Sequence, residues 1–251
     1  MSISVLQAQL FFLAFTRIMA VMIHVPALGG QNIPSQVRIG LGLTLALVLF
    51  PLQSAPTGEM IGAFAFGIGI GKEIIIGTLV GFAADLAFGA IQIAGSAMGM
   101  GSGFESGRIF NPSLGEAGSA FDQIFVMTAA MIFLIIDGHH LVLIALQKTF
   151  TAVPLNGALP FNGLEAVLRM TSVFVASGVH MALPVMAALF LTDLTLGLLA
   201  RIAPQVQVYF LGLPVKVVVA MIAMGMTFAV VFPYLGSLFK SMAENMLLFV
   251  E

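Results

Sequence analysis

The chain reads as an all-α protein of the integral-membrane type, built from six to eight kinked hydrophobic helices, and three observations predict it. Of its 251 residues, 60% are hydrophobic and 8% charged, with a mean hydropathy of +1.11, far from the roughly 25% charged composition of a soluble domain. Its apolar stretches are long, several reaching the length of about 20 residues that a helix needs to cross a bilayer. They run continuously and do not alternate with period two, as the strands of a membrane barrel would.

The first run, Val5 to Val25, lacks the basic leader of a cleaved signal peptide and is too long for its apolar core, so it reads as the first helix of the mature protein. Val37 to Leu52 follows. Met60 to Met98 is long enough for two helices, or one extended kinked pair. Then come Phe121 to Leu146, Leu164 to Ala200, and Val206 to Leu238. Ser119 with Asp122 reads as a capping box opening the fourth run, and Asn162 with Glu165 does the same for the fifth. Prolines 26, 34, 51, 56, 112, 154, 160, 204 and 214 mostly fall between runs, as helix breakers should. Pro184 and Pro233 lie inside or near the end of a run, where a lost backbone hydrogen bond is met by neighbours or tolerated as a kink.

Charge narrows the function classes. Nine basic and eleven acidic groups give a net charge of -2, with no polybasic footprint for nucleic acid. There is no cysteine, hence no disulfide and no thiolate metal site. The basic residues are scattered singly, so loop charge assigns no orientation. Tryptophan is absent and tyrosine occurs only at 209 and 234, so no aromatic belt marks an interface.

Ionisable groups within the runs need partners, because charge at membrane depth costs several kcal/mol. Arg17 and His24 are seven apart and share a helix face, as do Arg169 and His180. Lys72 and Glu73 are adjacent and point about 100° apart, which argues against a mutual salt bridge. Arg17, Lys72, Glu73, Asp85, Asp137, His139, Asp193, Arg201 and Lys216 are the expected buried polar or partner contacts; they line a protein-filled interior, or snorkel, or pair with other subunits. Gly67 with Gly71 and Gly77 with Gly81 form two small-xxx-small pairs that let helix backbones approach closely.

Signatures of catalysis are weak. The run DGHH, 137 to 140, offers two histidines, but neighbours on a helix diverge by about 100° and no HExxH or third ligand accompanies them, so no metal site is expected. Ser102 with His139 or His180 has no spacing that supports a protease dyad. Asp193 suits a proton carrier or a simple interhelical contact. Neither enzyme activity nor a cofactor is expected.

One segment resists the membrane pattern. Residues 95 to 119, GSAMGMGSGFESGRIFNPSLGEAGS, hold seven glycines and five serines between two apolar runs. Irregular backbone at membrane depth is tolerated only when buried in protein or lining a cavity. A loop this long without structure of its own is usually functional or disordered.

Four stretches together resemble the FliR family of flagellar and type III secretion export-gate proteins: PALGGQNIPSQVRIGLGL (26 to 43), KEIIIGTLVGFAADLAFGAIQIAG (72 to 95), FLIIDGHHLVLIALQKTF (133 to 150) and LPVMAALFLTDLTLGLLARIAPQVQVYFLGLPVKVVV (183 to 219). They occur in the family's order over nearly the whole chain. Gln207 stands where the family tends to have Asn, and Asn111 where it tends to have Asp before proline; both keep a polar side chain.

The resemblance implies a single export-gate domain over 1–251 that is not an enzyme. Its helices form hairpins that pack in a helical, multi-subunit, pore-forming assembly with FliP and FliQ, next to FlhB and FlhA. Unfolded export substrates pass through that assembly in the bacterial inner membrane, at the flagellar basal body, raised toward the periplasmic side. Its apolar surface then meets protein as well as membrane lipid. The resemblance also places the Gly/Ser/Met-rich central loop, 96–118, in the lumen as a pore plug or gasket. Met98, Met100, Phe104, Ile109 and Phe110 supply its soft apolar bulk. An ordinary exposed loop, a virulence-type secretion subunit, a secondary transporter and an intramembrane protease are the competing readings.

Overall fold

A computed structural model describes residues 4–29, 33–52, 60–104, 119–157, 163–205 and 207–248. Among them every regular element is helical: α1 (Val5–His24), α2 (Pro26–Gly29), α3 (Ser35–Leu49, extended by a 3-10 turn Phe50–Leu52), α4 (Ala63–Ser102), α5 (Ala120–Ile135), α6 (Gly138–Ala152), α7 (Gly163–Ile202) and α8 (Val208–Asn245). Four of these, α1, α4, α7 and α8, are long and apolar enough to cross a membrane, and α5 with α6 would count as a fifth span broken at Ile136–Asp137.

Helix boundaries follow local chemistry. Ser4 and Gln7 close a reciprocal capping box at the start of α1, each side chain bonding the other's backbone N–H. Ser119 accepts a hydrogen bond from the Asp122 N–H at the start of α5; Asn162 lies outside the described residues. Gly103 ends α4 with φ 83, the left-handed geometry that glycine adopts without a Cβ clash, and its N–H reaches Met100 O.

Three expectations need correction. The run from 60 to 98 is neither two helices nor a pair: α4 is a single helix of 40 residues with no proline inside it. That helix also takes in the first part of the central glycine stretch, so the loop begins at Gly103 rather than near 96. Each glycine costs about 1 kcal/mol of helix propensity, but burial of Met98 and Ser102 and the close packing of Gly95 and Gly101 on neighbouring helices outweigh it. Pro214 does not separate runs; like Pro233, it lies within α8.

Two compact units divide the chain. The first comprises Met1–Ala87, Asp137–Thr171 and Phe239–Glu251, and its core is built from Leu13, Ile18, Val21, Ile76, Val80 and Leu146. Within it α1 and α4 run side by side in the same direction, since successive contacts join Gln9 to Ile61, Arg17 to Glu73 and His24 to Asp85. The second comprises Phe88–Ile136 and Ser172–Leu238. Its interior holds Ile91, Met98, Phe125, Phe133, Phe174 and Leu189. Aromatic contacts knit it, with Phe88 edge-on to Phe133 at 5.7 Å and Phe125 stacked on Phe228 at 5.2 Å.

Candidate functional site

The two charged residues that are buried among the described ones both lie in the first unit. Arg17 of α1 and Glu73 of α4 are both fully buried and paired at 2.5 Å. Taking two charges out of water costs several kcal/mol per ion, so the pair persists only if its remaining donors and acceptors are met. Most are. Arg17 Nη1 donates to the carbonyls of Thr149 and Val153, at 2.9 and 2.8 Å, and Glu73 Oε1 accepts the Asn156 N–H at 3.1 Å. Arg17 Nη2 has no acceptor among the described residues, while the Phe150 ring centroid lies 4.6 Å from the guanidinium carbon.

Those carbonyls lie at the C-terminal end of α6, the negative end of the helix dipole; Thr149 O also accepts the N–H of the capping residue Val153, so Arg17 is its second donor. Arg17 therefore acts as a side-chain cap for a helix 132 residues away. Glu73 completes the arrangement at the turn that follows, where Asn156 adopts φ 60. Lys72 joins at its margin, donating to Gly157 O at 3.4 Å. Lys72 and Glu73 thus take different partners: Lys72 meets Gly157 O, whereas Glu73 pairs with Arg17 of α1 and accepts the Asn156 N–H.

A second ion pair lies further along the same helices. His24 Nδ1 contacts Asp85 Oδ2. Between the two pairs the helices touch through glycine. A Cβ on Gly77 would stand 2.6 Å from Ala20 Cβ and 2.7 Å from Arg17 O, and one on Gly81 would stand 2.7 Å from His24 Cβ. Gly67 and Gly71 differ, because a Cβ there meets nothing within 4 Å.

In the second unit α4 meets α5 at Gly95, where a Cβ would come within 2.7 Å of Asp122 Cα. Ser96 Oγ donates to Asp122 Oδ2 at 2.9 Å. Gly178 of α7 presses on the Ala90 carbonyl, with 2.5 Å left for a Cβ. Lys216 of α8 pairs with Asp193 of α7 at 2.8 Å.

The residues expected to form a plug are dispersed. Met98 is wholly buried in the second unit's interior, Met100 is 67% exposed on the last turns of α4, and Phe104 packs edge-on against Phe121 at 5.3 Å. Ile109 and Phe110 lie outside the described residues. Asp137 and Arg201 are exposed in the chain. His139 is half-buried, with Asp137 Oδ1 3.9 Å from its Nε2.

Sequence reasoning missed two groupings. The Arg17 site draws on Thr149, Val153 and Asn156 through backbone atoms, which leave no residue-type signal. Asp137, His139 and His140 form the other: one potential ligand atom from each lies within 4.8 Å of the other two. The DGHH motif carries that signal, and its aspartate supplies the third potential ligand from the residue that caps α6, in a left-handed conformation with φ 56.

Comparison with known proteins identifies relatives over almost the full length. The model of the bacterial export proteins, family 1, matches residues 8–242. The flagellar biosynthetic protein FliR of Bacillus subtilis is 31% identical over 94% of this chain and 92% of its own. The protein of the same name from Escherichia coli is 28% identical over 92% of this chain and 88% of its own. The Yop proteins translocation protein T of Yersinia pestis is 28% identical over 84% of this chain and 82% of its own.

Proposed function

The chain belongs to the bacterial export proteins, family 1, and on that premise we propose that it is a structural, pore-forming subunit of the flagellar type III protein export gate. In this reading it performs no catalysis. It assembles with FliP and FliQ, beside FlhB and FlhA, in the bacterial inner membrane, and its helices are raised toward the periplasmic side. Unfolded flagellar subunits pass through the resulting conduit.

The full-length likeness to the Bacillus subtilis flagellar protein carries the reading, and helix length supports it independently. At 1.5 Å per residue, α4 and α7, each of 40 residues, are about 60 Å long, twice the roughly 30 Å of a bilayer's hydrocarbon core. To lie wholly in lipid they would have to tilt by about 60°, beyond the usual range of roughly 0–40°. Their apolar surface therefore extends past the hydrocarbon, where water would penalise it and other subunits would cover it. Only 22% of the most apolar stretch of α8 is buried by the chain itself.

A virulence-type secretion subunit is the second reading, favoured by the likeness to the Yersinia protein. Isolation of the tagged chain from native membranes, with mass identification of what accompanies it, tests the proposal. Recovery with FliP and FliQ, and loss of motility on deletion, is the expected result. Recovery with virulence-type counterparts and unchanged motility would favour the second reading, and a lone chain moving a small solute would refute both.

A further inference from the structure

We propose that Asp137, His139 and His140, at the start of α6, form a binding site for a divalent transition-metal ion, with Zn2+ as the best chemical fit. The donor set is two imidazole nitrogens and one carboxylate oxygen, a combination that suits Zn2+, Co2+, Ni2+ and Cu2+ and is poor for Mg2+ or Ca2+, which want oxygen. One atom from each residue lies within 4.8 Å of the other two. A tetrahedral zinc ion with bonds of about 2.0–2.2 Å holds its ligands roughly 3.3 Å apart. Small rotations of two exposed side chains, Asp137 and His140, close that gap.

The backbone explains why three residues of one short motif converge. Two adjacent histidines at the start of a helix diverge by about 100°. Asp137 occupies the residue that caps α6 and adopts the left-handed conformation, φ 56. An aspartate in this position ordinarily accepts a hydrogen bond from the N–H groups of the first turn. Asp137 makes no such bond. Its Oδ1 instead approaches His139 Nε2, at 3.9 Å, and the two histidine rings stand with centroids 5.4 Å apart at an interplanar angle of 54°. Nδ1 of His139 is buried without a hydrogen-bond partner among the described residues, which leaves Nε2 as its ligating atom. The side chain of Asp137 is 75% exposed, so solvent supplies the fourth ligand.

Electrostatics assigns the residues unequal weight. The N-terminal end of a helix carries the positive half of the dipole, about half a unit charge, which opposes a cation. Only the Asp137 carboxylate offsets that field within the cluster. Its loss should therefore weaken binding at least as much as the loss of either imidazole.

The test uses the full chain in whatever native complex it forms, extracted from membranes through an affinity tag without histidine, stripped with chelator and titrated with Co2+. Saturable uptake of a single equivalent per chain, with visible absorption bands of low-symmetry Co2+ that Zn2+ abolishes, is the expected result. Asp137→Asn and His140→Ala should each weaken uptake by more than roughly tenfold, the scale on which even supporting contacts of a metal site act, while His180→Ala leaves it unchanged. Absence of saturable uptake by the unmodified chain overturns the proposal whatever the variants do. Uptake by Asp137→Asn and His140→Ala as tight as that of the unmodified chain overturns it too, by showing that the ion binds elsewhere.

Discussion

Arg17 and Glu73 are 56 residues apart in sequence and form an ion pair in which neither side chain reaches solvent. Between them they hold the last turn of α6 and the Asn156 turn against α1 and α4. The pair's value lies in what it organises, since a buried ion pair by itself adds little net stability.

Removing one member should therefore cost far more than removing both. Glu73→Ala or Arg17→Ala strands a buried charge, at about 3–5 kcal/mol. The double change Arg17→Met with Glu73→Leu should recover part of that loss. Thermal unfolding of the detergent-extracted complex measures the difference; a loss in the double variant equal to the sum of the two single losses would show that the pair is not coupled.

The four glycines of the two small-xxx-small pairs in α4 should separate into two classes. Leucine at Gly77 or Gly81 drives into the α1 backbone, exceeding the roughly 1–3 kcal/mol of ordinary overpacking, and the chain should fail to accumulate in membranes. Leucine at Gly67 or Gly71, where space is open, should leave the chain intact while reducing recovery of FliP. Full recovery with both leucines present would remove these two positions from subunit packing.

The proposed plug predicts a leak. Because α4 extends to Ser102, a deletion reaching back to residue 99 would also cut helix packing. Deleting residues 105 to 110 spares it. Cells carrying that deletion should assemble the complex and show raised ion conductance; conductance equal to wild type would defeat the plug.

Asp193 and Lys216 join two helices whose surroundings are almost wholly apolar. In water such a partly exposed pair is worth about 0–1 kcal/mol, but a lone charge facing lipid or an apolar partner costs more. Asp193→Ala should lower motility, and the exchange Asp193→Lys with Lys216→Asp should restore part of it. Loss without rescue by the exchange would point to a role for the carboxylate itself.

Much of the architecture was legible because helices in an apolar chain announce themselves through local composition. The helical class, the Ser119 cap and the placing of Pro184 and Pro233 within runs all depend on near neighbours. Where glycine-rich sequence met a packed environment, the local signal failed: residues 96 to 102 look too pliable for a helix, yet neighbouring helices hold them in one.

The sequence by itself determined that this is a helical protein for an apolar setting, that it belongs with export-gate proteins, and that its ionisable groups need partners. Only the tertiary structure decided who those partners are. Arg17 serves α6 through backbone carbonyls, His24 meets Asp85, Gly77 and Gly81 seat α1 while Gly67 and Gly71 stay open, and Asp137 folds back toward two histidines. The physical reason is range: helix propensity and hydropathy act over a few residues, whereas a buried charge is satisfied by whatever donor or acceptor the fold carries to it, at any distance along the chain.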